Sequence, residues 1–113
     1  MTVYRTRLAE VCAPLNAHEA HYVLVGAMAM QLWGTTRATR DVDILIEATR
    51  DNATRVIDAL TEVGFGIARE LTPDEIVASH VTIVGDTPRV DVMTLAWALR
   101  YPEAIRDART FTV

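Results

Sequence analysis

Lysine is absent from this chain of 113 residues, and all 11 of its basic side chains are arginine. That excludes a Schiff-base lysine nucleophile and the lysine of a P-loop. Cysteine is reduced to Cys12, so no internal disulfide can form. Its place on an apolar helical stripe makes it a small core residue rather than a reactive thiol. Positive charge is scarce as well: 15 acidic residues against 11 arginines leave a formal net charge of -4. A broad basic face for gripping a duplex is therefore excluded, and any nucleic acid must be met locally, through a metal ion. Long hydrophobic runs are missing. The longest, Tyr22 to Met30, is broken by Gly26 and falls far short of the ~20 residues that cross a bilayer. The opening segment carries Arg5, Arg7 and Glu10 where a secretory signal needs an unbroken apolar stretch. A cytoplasmic protein without a membrane span is expected.

What remains is 50% hydrophobic and 23% charged, the composition of a soluble globular chain. The length predicts one domain, 1–113, burying about two thirds of its unfolded surface. Leu8, Val11, Cys12 and Leu15 have helical spacing and predict a helix from about Val3 to His18, weakened at Pro14. His21 to Val25 reads as a strand, Gly26 as a tight turn, and Ala27 to Leu32 as a helix closed by Gly34. A loop, Thr35 to Arg40, leads into a second strand, Asp41 to Ile46. Thr49 or Asp51 can cap the next helix, whose buried stripe is Ala53, Val56, Ile57, Leu60 and Val63, with Gly64 beyond its end. Thr72-Pro73-Asp74-Glu75 has the form of a capping box and predicts a short helix ending near Ser79. His80 to Val84 and Arg89 to Met93 alternate, and Gly85 to Pro88 between them favours an antiparallel hairpin. A last helix is expected over about Leu95 to Ala108, followed by the strand-like tail Thr110 to Val113. The fold class is α/β (α+β), a mixed sheet of about four strands with helices mainly on one face and the other free to carry a site.

Three features bear on chemistry. Asp41 and Asp43 lie two apart on a strand, so their carboxylates share a face and can converge on hard cations while Val42, Ile44 and Ile46 point to the core. Taken alone, an acidic pair at a strand start is more commonly a solvated end. Asp91, flanked by Val90 and Val92, supplies a third carboxylate if its strand lies beside Asp41 to Ile46; otherwise it is exposed or ion-paired with Arg89. Gly26-Ala27, before a helix N-terminus, either lets a phosphate approach the backbone N–H groups or is a simple turn. His18, His21 and His80 have no metal-ligand spacing with one another or with Cys12, which suits surface or capping roles. Trp33 and Trp97 read as core or interface residues, and Met28 and Met30 as helix packing.

The run from Val23 through Gly26-Ala27-Met28-Ala29, on to Leu32-Trp33-Gly34-Thr35-Thr36-Arg37-Ala38-Thr39-Arg40-Asp41-Val42-Asp43-Ile44, resembles the signature of the DNA polymerase beta-like nucleotidyltransferase superfamily. It is most similar to the minimal bacterial branch that includes the abortive-infection toxin nucleotidyltransferases. The resemblance implies a nucleotidyltransferase fold and a Mg²⁺-dependent transfer of a nucleoside monophosphate from a nucleoside triphosphate to a hydroxyl of a protein, a tRNA or a small molecule. It implies that Asp41, Asp43 and Asp91 are the catalytic and metal-binding residues. Asp41 and Asp43 would hold two Mg²⁺ ions, with Asp91 on the second ion as base or base-orienter. The Gly26-Ala27 backbone would cradle phosphates, with Arg37, Thr39 and Arg40 in the same binding loop and the arginines neutralising the leaving pyrophosphate. A toxin-antitoxin or phage-defence setting, with a cognate partner protein, is implied too.

The chain departs from that pattern in two respects. Ala27 stands where relatives carry Gly or Ser, and the helical C-terminal region that contributes a lysine in toxin-like relatives is expected to be missing. The alternative expectation is a non-catalytic module that keeps the fold and binds a nucleotide or a protein. A homodimer, formed through the sheet face or the apolar tail, is compatible with either.

Overall fold

The computed structural model describes residues 2–26, 41–64, 66–85 and 89–109. The expected helix at Ala27 to Leu32, the loop at Thr35 to Arg40 and the tail at Thr110 to Val113 lie outside the described residues, as do Trp33, Met28 and Met30.

Helix α1, Thr2–Ala17, contains Pro14 and buries Leu8, Val11, Cys12 and Leu15, the stripe expected from their spacing. Its end is closed by two reciprocal backbone bonds, Ala20 N–H to Leu15 O at 2.9 Å and Glu19 N–H to Asn16 O at 3.0 Å. Glu19 takes the left-handed conformation, φ 56°, that this helix ending demands. The chain then enters β1, Tyr22–Val25. Strand β2, Asp41–Ile46, pairs antiparallel with β1.

Helix α2, Arg50–Glu62, is capped by Thr49, whose hydroxyl accepts from Asn52 N–H, and Gly64 beyond it has φ 102°. A 3₁₀ turn, Gly66–Glu70, was not foreseen, because so short a piece carries no period to read. Helix α3, Pro73–Ala78, has the expected cap, with Glu75 N–H donating to the Thr72 hydroxyl at 3.2 Å. Strands β3, Val81–Val84, and β4, Arg89–Met93, form the expected antiparallel arms.

The four strands lie in the order β1-β2-β4-β3, and only the β2–β4 pair is parallel. The sheet is therefore mixed, as expected. Its core face carries Val42, Ile44, Ile46, Val84, Val90 and Val92, packed with Leu8, Val11, Leu15, Ala53, Val56, Leu60 and Ile76 from the helices. Helix packing thus covers this face, and the carboxylates fall on the other.

Asn52 ties the helix layer to the sheet. Its side chain accepts from His21 N–H at 2.7 Å and donates to the carbonyls of His21 and Glu47, both at 2.9 Å. Fully buried yet fully bonded, it pins the first turn of α2 to the start of β1 and the exit of β2.

The expected helix over Leu95 to Ala108 is not formed. Ala96 and Leu99 bridge a tight turn, with Trp97 at φ 48° and Ala98 at φ 66°. Helix α4 covers only Tyr101–Ala104 and tightens into a 3₁₀ turn, Ile105–Asp107. Pro102 explains the difference: within a helix starting at Leu95 it would lack a needed N–H and clash, whereas in a first turn it is well placed. Trp97 is not in the core; it is 75% exposed. No helix among the described residues is long and apolar enough to cross a membrane.

Candidate active site

Strand alternation and register assemble one polar row. In β2, Val42, Ile44 and Ile46 face the core, so Asp41 and Asp43 take the opposite face. Asp43 pairs with Val25 of β1 on one side and with Asp91 of β4 on the other, and Asp91 pairs in turn with Ile83 of β3. The row Val25, Asp43, Asp91, Ile83 therefore crosses the whole sheet on one face. Two carboxylates stand side by side at its centre, on strands about 4.8 Å apart. Asp41 is two pairs further along and lies in register with Arg89.

Neither central carboxylate is freely solvated. Asp91 is 8% exposed, and Asp43 Oδ1 is buried with no hydrogen-bond partner. Burial, followed by the negative charge of Asp91 and the hydrogen bond Asp91 accepts from the protonated form, pushes the Asp43 carboxyl up to about 6. Asp41 adds to that shift and Arg89 opposes it.

Arg89 meets Asp91 on the same face of β4. Its Nε–H donates to Oδ1 at 2.8 Å and its Nη2–H to Oδ2 at 3.3 Å, so both carboxylate oxygens are engaged. Of the expectations for Asp91, the exposed carboxylate is not found, since the residue is buried; it is ion-paired with Arg89 and its strand does lie beside Asp41 to Ile46, in register with Asp43. The signal was the two-residue spacing of Arg89 and Asp91 on a strand.

Gly26 closes the row beyond β1. Its φ is +75°, and a β-carbon placed there would overlap Asp43 Oδ2 and lie 3.0 Å from Cγ and 3.2 Å from Cβ. Glycine, with no β-carbon, lets the backbone at this φ approach the carboxylate so closely. Of the other residues expected at a phosphate site, Ala27, Arg37, Thr39 and Arg40 lie outside the described residues.

The donor set suits a hard divalent cation: carboxylate oxygens only, one of them buried and unsatisfied. As the side chains stand, no three histidine, cysteine or carboxylate groups among the described residues are gathered closely enough to hold a metal ion. The histidines sit elsewhere, two of them at hydrogen-bond distance from glutamates and His80 exposed. His18 Nε2 lies 3.2 Å from Glu62 and His21 Nδ1 lies 3.2 Å from Glu47. Cys12 is buried, and burial raises its thiol pKa, as suits a core residue.

The family model of the AbiEii nucleotidyl transferase toxins of type IV toxin-antitoxin systems matches residues 8–110, and the chain belongs to that family. No curated protein and no solved structure matches the chain.

Proposed function

We propose that this chain moves a nucleoside monophosphate from a nucleoside triphosphate to a hydroxyl acceptor, with Asp41, Asp43 and Asp91 as the metal-binding and catalytic carboxylates. The observation that carries this reading is the pairing of Asp43 with Asp91, next to a buried carboxylate oxygen without a partner. Such an oxygen is costly unless a cation or a donor meets it. Asp41 and Asp43 would hold Mg²⁺, with Asp91 completing the set. When bound, Mg²⁺ would supply charge neutralisation on the triphosphate and a lowered pKa for the attacking hydroxyl.

The protein's own groups do the rest. Gly26 holds the backbone close against Asp43, and the backbone N–H groups at Gly26-Ala27 would donate to a phosphate. Ala27 offers no hydroxyl, so that contact is backbone only. Arg37 and Arg40 balance charge on the departing pyrophosphate, with Thr39 between them as a further donor. Asp91 orients the acceptor hydroxyl or takes its proton. The acceptor classes are a protein, a tRNA or a small molecule, the working compartment is the cytoplasm, and the cognate antitoxin is the protein partner.

A second reading, a module that binds without turnover, is favoured by the Arg89 guanidinium engaging both oxygens of Asp91. Titration with each of the four nucleoside triphosphates, with and without Mg²⁺, separates them when combined with label transfer from an α-labelled triphosphate. Mg²⁺-dependent binding that Asp43→Asn abolishes, followed by label transfer to an acceptor, supports the enzyme. Binding without transfer supports the module, and no binding by folded protein removes both nucleotide readings.

A further inference from the structure

Asp91 is the more buried partner of its ion pair. Its side chain is 12% exposed and that of Arg89 is 43% exposed. The chain thus brings two carboxylates together on adjacent strands and hydrogen-bonds a half-exposed guanidinium to Asp91, while the same charge acts on Asp43 through space. Without Arg89, Asp91 would stand beside Asp43 with its charge uncompensated in a poorly solvated position, which is unfavourable. A divalent cation between the carboxylates relieves the same repulsion. Guanidinium and cation therefore satisfy the same need at the same oxygens, and each weakens the attraction of Asp91 for the other.

We infer that Arg89 is a positioning residue that holds Asp91 in the metal-free protein and competes with the divalent cation for it, leaving the carboxylate as the cation enters beside Asp43. The exposed half of its side chain makes the exchange feasible, since the guanidinium can move into water without unpacking the core. Arg89 is then a counter-charge that keeps the carboxylate face folded until the cation arrives. It also sets a threshold for cation binding. This inference rests on the carboxylate reading proposed above.

The test uses Mn²⁺ alone, without nucleotide, and follows its paramagnetic signal on titration into the full chain. Arg89→Gln is expected to bind Mn²⁺ about tenfold more tightly than the wild type, a size set by the loss of one partly screened charge near the site. Its metal-free melting temperature is expected to fall, and its Mn²⁺-induced rise in melting temperature to exceed that of the wild type. Equal or weaker Mn²⁺ binding by Arg89→Gln overturns the inference. If that variant does not fold, the wild type supplies the second measurement: the Arg89 side-chain Nε–H resonance, assigned by its loss in Arg89→Lys, followed during Mg²⁺ titration. Faster exchange with water as Mg²⁺ saturates supports release of the guanidinium, and an unchanged resonance at saturation overturns it. Failure of the underlying reading looks different, because then the wild type binds no Mn²⁺, or binds it as well after Asp43→Asn.

Discussion

Gly26 and Asp43 face each other across the first two strands so closely that the space of a single β-carbon at Gly26 is already taken by the Asp43 carboxylate. The backbone at Gly26 and the centre of the carboxylate row are thus one steric unit.

Gly26→Ala should disturb both. The left-handed φ of +75° strains any side-chain-bearing residue, a cost of about 1–3 kcal/mol, and Asp43 must move to admit the methyl group. Urea denaturation should show the loss of stability, and Mn²⁺ titration a weakened site. A variant as stable as the wild type and equal to it in cation binding would contradict the close approach.

The raised pKa of Asp43 predicts a definite pH dependence for the metal-free protein. Below the ordinary aspartate value of 3.8 the carboxyl is protonated whether folded or unfolded, and above about 6 it is charged in both states. Between those values the folded state holds the extra proton, so this group's contribution to stability falls as pH rises through the window and then levels off. Unfolding free energies measured across that range should show the downward contribution in the wild type and lose it in Asp43→Asn. Equal pH profiles for the two proteins would count against it.

Asn52→Leu removes a buried amide: His21 N–H loses its acceptor, and the carbonyls of His21 and Glu47 each lose one donor while keeping a backbone one, Glu47 N–H and Thr49 N–H respectively. A destabilisation of about 1–3 kcal/mol follows from leaving one part-buried N–H without its acceptor. Chemical denaturation would measure it. A loss below about 0.5 kcal/mol would mean that water replaces the amide without penalty.

Ala98→Gly should act in the opposite direction. Ala98 has φ 66° in the turn between β4 and α4, a conformation glycine adopts without a Cβ penalty. A gain of about 0.5–1 kcal/mol is expected, read as a higher urea midpoint at unchanged slope. A lower midpoint would show that entropy lost by the glycine outweighs the relieved strain.

Local signals were the most legible part of the sequence. Thr49, the apolar stripe of α2 and Gly64 mark that helix from cap to exit, and Thr72-Pro73-Asp74-Glu75 marks α3 in the same way. The alternation of β2 put Asp41 and Asp43 on a common face before any partner strand was known. What periodicity could not provide was adjacency. The parallel pairing that brings Asp91 beside Asp43 depends on a crossover, and so it stood in the sequence only as a condition. The overlap between Gly26 and Asp43 is hidden for the same reason, as are the bonds of Asn52, whose partners come from two other segments. The difference at Leu95 to Ala108 has a local cause, since Pro102 determines where a helix can begin.

The parallel β2–β4 pair has a consequence for the order of events during folding. α2, the 3₁₀ turn, α3 and β3 all separate the two strands along the chain, so Asp43 and Asp91 can meet only after the intervening segments have found their places. Contacts of such long sequence separation form slowly, because loop closure must precede their reward. The β3–β4 hairpin and α2 can each form early without creating a carboxylate pair. A growing or partly unfolded chain therefore carries the aspartates as scattered surface charges, and the capacity to gather a cation appears together with the completed sheet.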